Sequence, residues 1–139
     1  MASFVKYEVF SENLAEKVHD LNADTLKVML SNSAPNVATH ETRSQVTEIS
    51  GGSGYTSGGT DTQNATSRSG GTTSVTGVDF TFTASGGTIG PFRYAILYND
   101  TPTSPADPLI AYWDYGSSIS LLDTETLDVD FGSSLFTIA

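Results

Sequence analysis

Two histidines, sixteen carboxylates and a scatter of serines are the residues of this chain with the means to do chemistry. His19 borders an apolar helical pattern, whereas His40 lies in a polar stretch, so their spacing does not pair them. A serine nucleophile of the hydrolase type needs a sharp strand–turn–helix elbow, Gly-x-Ser-x-Gly. The nearest approach, Gly52-Ser53-Gly54, sits in a glycine-rich loop without the flanking elements. Both histidines therefore read as solvated or capping side chains. Asp123, Glu125, Asp128 and Asp130 form an acidic group near the C-terminus. Oxygen donors suit Ca²⁺, and Asp128 and Asp130 fall on one face of an alternating strand. EF-hand spacing is missing, however, and the plainer reading is a charged strand edge that discourages unwanted pairing. In an exposed strand the same carboxylates lack the desolvation that would raise one pKa for glycoside hydrolysis. Gly51-Gly52-Ser53-Gly54 has neither the lysine nor the following helix of a phosphate-binding loop and reads as a flexible turn. Asn64-Ala65-Thr66 and Asn99-Asp100-Thr101 match the glycosylation pattern and read as coincidental, because no secretory leader is visible at the N-terminus. The chain reads as a non-enzyme without metal or cofactor.

The aromatic residues offer binding instead of turnover. Phe92-Arg93-Tyr94 and Tyr112-Trp113-Asp114-Tyr115 suit a sandwich core, a subunit interface or a carbohydrate platform, three readings that alternation alone leaves open. Phe4, Val5, Tyr7 and Phe10 crowd large apolar groups into the first ten residues, and Tyr55 stands alone in the glycine-rich region. Charge narrows the partners. Sixteen acidic against six basic residues give a net charge of −10, which repels phosphate backbones and anionic lipid surfaces. Nucleic-acid and membrane-surface binding are thereby disfavoured, and no apolar run is long enough to cross a bilayer. The absence of cysteine removes disulfide scaffolds, thiol nucleophiles and cysteine–zinc sites together.

The elements that must position these residues are mostly strands. A length of 139 residues fits one domain, 1–139, able to bury a core without disulfides. Ser11 reads as an N-cap, and Leu14, Val18 and Leu21 form the apolar face of one short N-terminal helix. Leu26, Val28 and Leu30 alternate with Lys27, Met29 and Ser31 as a half-buried strand. Residues 39–73 form a long Gly/Ser/Thr-rich loop region with room for two short strands; Thr39 to Glu48 fits a short helix or an irregular loop equally. Val78, Phe80 and Phe82 mark a strand, Phe92 to Tyr98 another that is buried on both faces. Leu109 to Tyr115 follows, closed by Gly116-Ser117-Ser118, then short strands at Ile119–Leu121, Leu127–Phe131 and Leu135–Ile138. Such a run of short strands predicts a mainly β domain of the β-sandwich or jelly-roll kind. Residues 1–10 are either a free apolar arm or the first strand of the sandwich.

Several stretches carry a resemblance: Leu14-Ala15-Glu16-Lys17-Val18-His19-Asp20-Leu21; Asp24 to Asn32; Thr47-Glu48-Ile49 leading to Gly54-Tyr55-Thr56-Ser57-Gly58-Gly59; and, most characteristic, Asp79 to Asp100 with Phe80-Thr81-Phe82-Thr83-Ala84-Ser85-Gly86-Gly87 at its head. Together they make nearly the whole chain similar to small structural proteins of tailed bacteriophages, among them capsid decoration, or head cement, proteins. The resemblance implies synthesis in the host bacterial cytoplasm and a place on the capsid exterior. It also implies a homotrimer bound to the major capsid protein. Contact residues expected from this are Phe4, Val5, Tyr7, Phe10 and Tyr55, with Phe92, Tyr94 and Trp113 as interface aromatics. An arm at 1–10 would be removable without unfolding the domain. A tail, baseplate or fibre component that touches a host receptor is the alternative. That role calls for a concave aromatic or polar pocket, whereas a cement protein buries its arm against the shell.

Overall fold

The structure is a computed structural model and describes residues 3–139. In chain order it begins with β1 (Ser3–Lys6), α1 (Val9–Ala15) and β2 (Leu26–Ser31). A 3-10 turn at Arg43–Gln45 precedes β3 (Thr60–Asp61), β4 (Ala65–Ser69) and β5 (Thr72–Thr76). The remainder is β6 (Phe80–Thr83), β7 (Ile89–Asn99), β8 (Leu109–Leu121), β9 (Thr126–Val129) and β10 (Phe136–Ile138). All named pairings are antiparallel. The main sheet has the order β1-β8-β7-β2-β3, and two smaller sheets, β10-β5-β4 and β6-β9, accompany it. The result is a mainly β, sandwich-like domain with one short helix.

The alternation of side chains distributes the core over both faces of the main sheet. From β2, Val28 joins Leu97, Ile110, Val75, Phe131 and Leu135, which ties the main sheet to β5 and the C-terminal segment. Leu30 joins Phe82, Ala84, Ile89, Phe92 and Leu121, which ties the same face to β6. Met29 points the opposite way, to Tyr7, Tyr94, Ile96, Tyr98 and Val46. The expected half-buried strand is thus buried on both faces: Met29 and Ser31 are fully enclosed, and Ser31 donates its hydroxyl to the Thr47 carbonyl at 2.6 Å.

Several boundaries differ from the sequence expectation for identifiable reasons. The helix starts before Ser11, with Glu8 at the cap position, and Ser11 accepts a bond from Lys6 Nζ at 2.7 Å instead of capping. It ends at Ala15 because Lys17 turns left-handed at φ 66°. Leu21 still reaches the core, held by Asp20, whose Oδ1 accepts the Asn22 and Ala23 N–H groups. Gly116-Ser117-Ser118 does not divide two strands. Gly116 takes φ 93°, Asp114 Oδ1 accepts its N–H at 2.8 Å, and β8 runs on to Leu121. Val78 lies before β6 and is exposed, so only Phe82 of that trio is fully buried. Residues 39–73 do hold two short strands, β3 and β4, and the undecided stretch before Glu48 contains the 3-10 turn. The loop can lie on β2 only because residue 59 is glycine: a Cβ there would overlap the Val28 carbonyl. At the N-terminus, Ser3–Lys6 is the end strand of the main sheet, paired with β8 from Ser3↔Asp114 to Lys6↔Ala111. For residues 3–6 the strand reading holds; Met1 and Ala2 of the expected 1–10 arm lie outside the described residues.

Candidate interaction face

Register brings the aromatic residues together. Phe4 pairs with Trp113, and Trp113 with Ala95, so these three share one face across β1, β8 and β7. The Phe4 and Trp113 rings meet edge to face at 5.6 Å, and Trp113 lies 6.1 Å from Phe131. Between this face and Leu127–Phe131 opens a cleft of about 650 Å³, within the range of small-ligand and anchor-residue pockets. Phe4, Phe92, Tyr94 and Trp113, all anticipated from the sequence, line it. Beyond Phe4 a second hollow of about 300 Å³ lies between α1 and β10, bounded by Phe10, Leu14 and Phe136. Phe4 therefore stands as a partition between two apolar hollows, 38% exposed, with Phe136 5.7 Å from its ring. Tyr115, 51% exposed, borders the larger one.

The mouth of the larger cleft is acidic. Asp114, Asp128 and Asp130 belong to its lining. Asp114 receives a two-pronged contact from Arg93, at 2.8 and 3.1 Å. That bond holds the Asp114 carboxyl below the usual range, helped by the Gly116 N–H, and the carboxylate in turn raises the guanidinium. Asp128 accepts the Thr81 hydroxyl at 2.8 Å. Asp130 lies one residue past the end of β9 and caps the following turn, its Oδ1 accepting the Gly132 N–H at 2.7 Å. Among the described residues no three His, Asp or Glu side chains gather as a metal site would require.

Other expected contact residues are built into the interior. Tyr7 and Phe10 are buried, Tyr7 against Tyr112 and Phe10 against His19. Val5 is half-buried opposite Tyr112. Phe92 reaches the cleft only from its buried floor, and the Tyr94 ring packs with Tyr7 and Tyr112 on the other face of the main sheet. Tyr55 is buried and pins the glycine-rich loop: its hydroxyl donates to Glu48 at 2.6 Å and accepts the Leu30 N–H at 3.0 Å. Tyr7, Phe10 and Tyr55 thus pack within the chain itself. Large apolar side chains with strand neighbours on either side satisfy each other before they meet a partner.

Glu48 is a polar centre that the spacing did not reveal. It accepts bonds from Tyr55, Arg43 (2.8 Å), the Gly58 N–H (2.6 Å) and Ser57 (3.2 Å). Burial pushes its carboxyl up, but the bonds from Tyr55, Arg43 and Gly58 outweigh burial and hold it below the ordinary range. Burial and the Glu48 bond together raise the Tyr55 phenol. His19 corrects the solvated reading. It is buried, its Nδ1 lies 3.0 Å from Asn99 Nδ2, and that amide also donates to Asp24 at 2.7 Å. Burial pushes the imidazole down to about 4, against the opposing pull of the Asp24 charge. His40 fits the capping reading, since its Nδ1 accepts the Asn36 N–H at 3.1 Å.

The groups His19, Glu48 and Tyr55, whose proton affinities are displaced, line neither hollow, whereas Asp114, held low by Arg93, lines the larger one. The concave, half-exposed face offers apolar contact and negative charge. No family model matches the chain, and no curated protein or solved structure shows significant similarity to it.

Proposed function

We propose that this chain is a non-enzymatic bacteriophage capsid decoration protein that docks on the outer surface of the head and stabilises contacts between major capsid subunits. The observation that carries the reading is the partly exposed aromatic face around Phe4, Trp113 and Tyr115, carried by the paired strands β1 and β8 and opening into a cleft. Exposed rings next to preformed hollows are the kind of patch that marks a protein interface. The sequence resemblance supplies the virion as context, and a net charge of −10 suits an exterior position away from packaged DNA. A homotrimer over a threefold axis would present three such faces at once and multiply a modest single-site affinity.

A second reading, a tail, baseplate or fibre component touching a host receptor, has the concavity of the cleft in its favour. The integration of residues 3–6 into the main sheet adds to it, since these residues are not free to grip a shell. Copy number per purified particle separates the two. A number matching the capsid subunits or their symmetry axes supports decoration. A number matching a single tail supports the second reading, and particles without the protein end both.

A further inference from the structure

We propose that the outer edge of β1 accepts an extended segment of a partner protein as an added strand, its apolar side chains alternating with Lys or Arg and seated in the hollows beside Phe4. The inference rests on the decoration reading for the partner's origin and on geometry for its mode. Tyr7 N–H bonds to the Ile110 carbonyl at 3.0 Å, which fixes the phase of the β1–β8 ladder. Antiparallel alternation then turns Ser3 and Val5 toward β8 and leaves the N–H and C=O groups of Phe4 and Lys6 on the outer edge. Among the described residues β1 is the end strand of its sheet, and both Phe4 and Lys6 are exposed. An edge with open hydrogen-bonding groups and flanking apolar hollows is what strand addition uses: main-chain bonds give affinity, and alternate side chains find pockets.

Charge decides which strand. The larger hollow carries Asp128 and Asp130 beside Asp114, which is already paired with Arg93, and the chain as a whole carries −10. A second copy would bring the same charge to the same place and be repelled. A segment with basic residues between its apolar ones is attracted and steered. The occupant is therefore a foreign strand.

Lys6→Pro tests this directly. The outward N–H of Lys6 serves no bond to β8, so proline removes an edge donor and leaves the internal ladder in place, as edge strands tolerate. Lys6→Ala is the matched control, and Phe4→Ala removes the ring between the hollows without touching the backbone. The folded full-length proteins are each exposed to a displayed library of random twelve-residue peptides. Separately, each is added to heads lacking the protein, and attachment is measured by co-sedimentation. Expected from the library are sequences alternating apolar with Lys or Arg, with affinity for Lys6→Pro and Phe4→Ala down by about tenfold or more and affinity for Lys6→Ala nearly unchanged. Enrichment of no such peptides, or equal binding by Lys6→Pro, overturns the added strand. Sedimentation showing self-association that Lys6→Pro abolishes overturns the foreign occupant in favour of a second copy. Failure of the unmodified protein to attach to heads, with edge-dependent peptide binding intact, overturns the decoration reading alone.

Discussion

Glu48 shows how much a single carboxylate can organise. Its bonds reach Arg43, Tyr55, Ser57 and the Gly58 backbone, so one side chain fastens the glycine-rich loop to the main sheet. Glu48→Ala leaves the buried Tyr55 hydroxyl without its acceptor, and a loss of about 2–4 kcal/mol is expected in urea unfolding, with Glu48→Gln costing less. His19 makes a prediction in pH. Its pKa lies near 4 in the folded chain against an ordinary value of about 6.5, so the unfolded chain binds the extra proton first. Stability contributed by the neutral imidazole is full above about pH 6.5 and declines as pH falls toward 4, by about 3 kcal/mol in all. Urea midpoints for the unmodified protein and His19→Leu should converge in that window, whereas parallel curves would remove the histidine as the cause. The Glu48 contribution has its own window: it is present above the ordinary carboxylate range and is lost as pH falls through the lowered folded value. Neither residue's role was readable from spacing. His19 finds Asn99 and Asp24, and Glu48 finds Tyr55, only because distant strands bring them together.

Among the elements, strands announced themselves where large residues alternated or clustered, and boundaries failed where a single backbone conformation decided. The β7 run from Phe92 to Tyr98 was plain because seven successive residues offer almost no polar face. Lys17 and Gly116 were opaque, since a left-handed φ at one lysine ends a helix early and a glycine lets a strand pass through an apparent turn. The Phe80–Phe82 pair, alike in sequence, differs in burial: Phe82 is 4% exposed and Phe80 is only half-buried. Phe82→Ala is accordingly expected to cost about 3–5 kcal/mol and Phe80→Ala roughly half of that, measured by the same urea titration. Equal losses would show that Phe80 packs more tightly than its exposure implies. The first ten residues were the clearest ambiguity, a short apolar run that fits an arm or a strand. The pairing of residues 3–6 with β8 argues against a dispensable arm. Deleting residues 1–10 removes an end strand and the fully buried Tyr7, so the truncated chain is expected to lose cooperative thermal melting and to expose core to hydrophobic dyes. A sharp, unchanged melt would restore the arm.

The whole molecule combines an acidic exterior with a local apolar face. Of the contact residues suggested by the sequence, Phe4 and Trp113 keep substantial surface at the cleft, while the opposite wall from Leu127 to Phe131 was legible only as another strand. Concavity arises from how two sheets meet, which no local pattern encodes. If attachment to heads uses basic groups on the partner, raising salt from about 0.05 to 0.5 M should slow association markedly and change dissociation much less. Salt-independent association measured by surface plasmon resonance would assign docking to apolar contact alone. β8 adds a consequence of its own. Its thirteen residues begin at Leu109 beside Tyr98, continue through Ile110, Ala111 and Trp113 in the cluster around Val28, and end beside Phe92 at Leu121. A strand common to three packing clusters gives none of them a way to open alone. Amides along its buried length should thus exchange with deuterium only through global unfolding, making this strand the slowest-exchanging segment and the natural reporter of total stability.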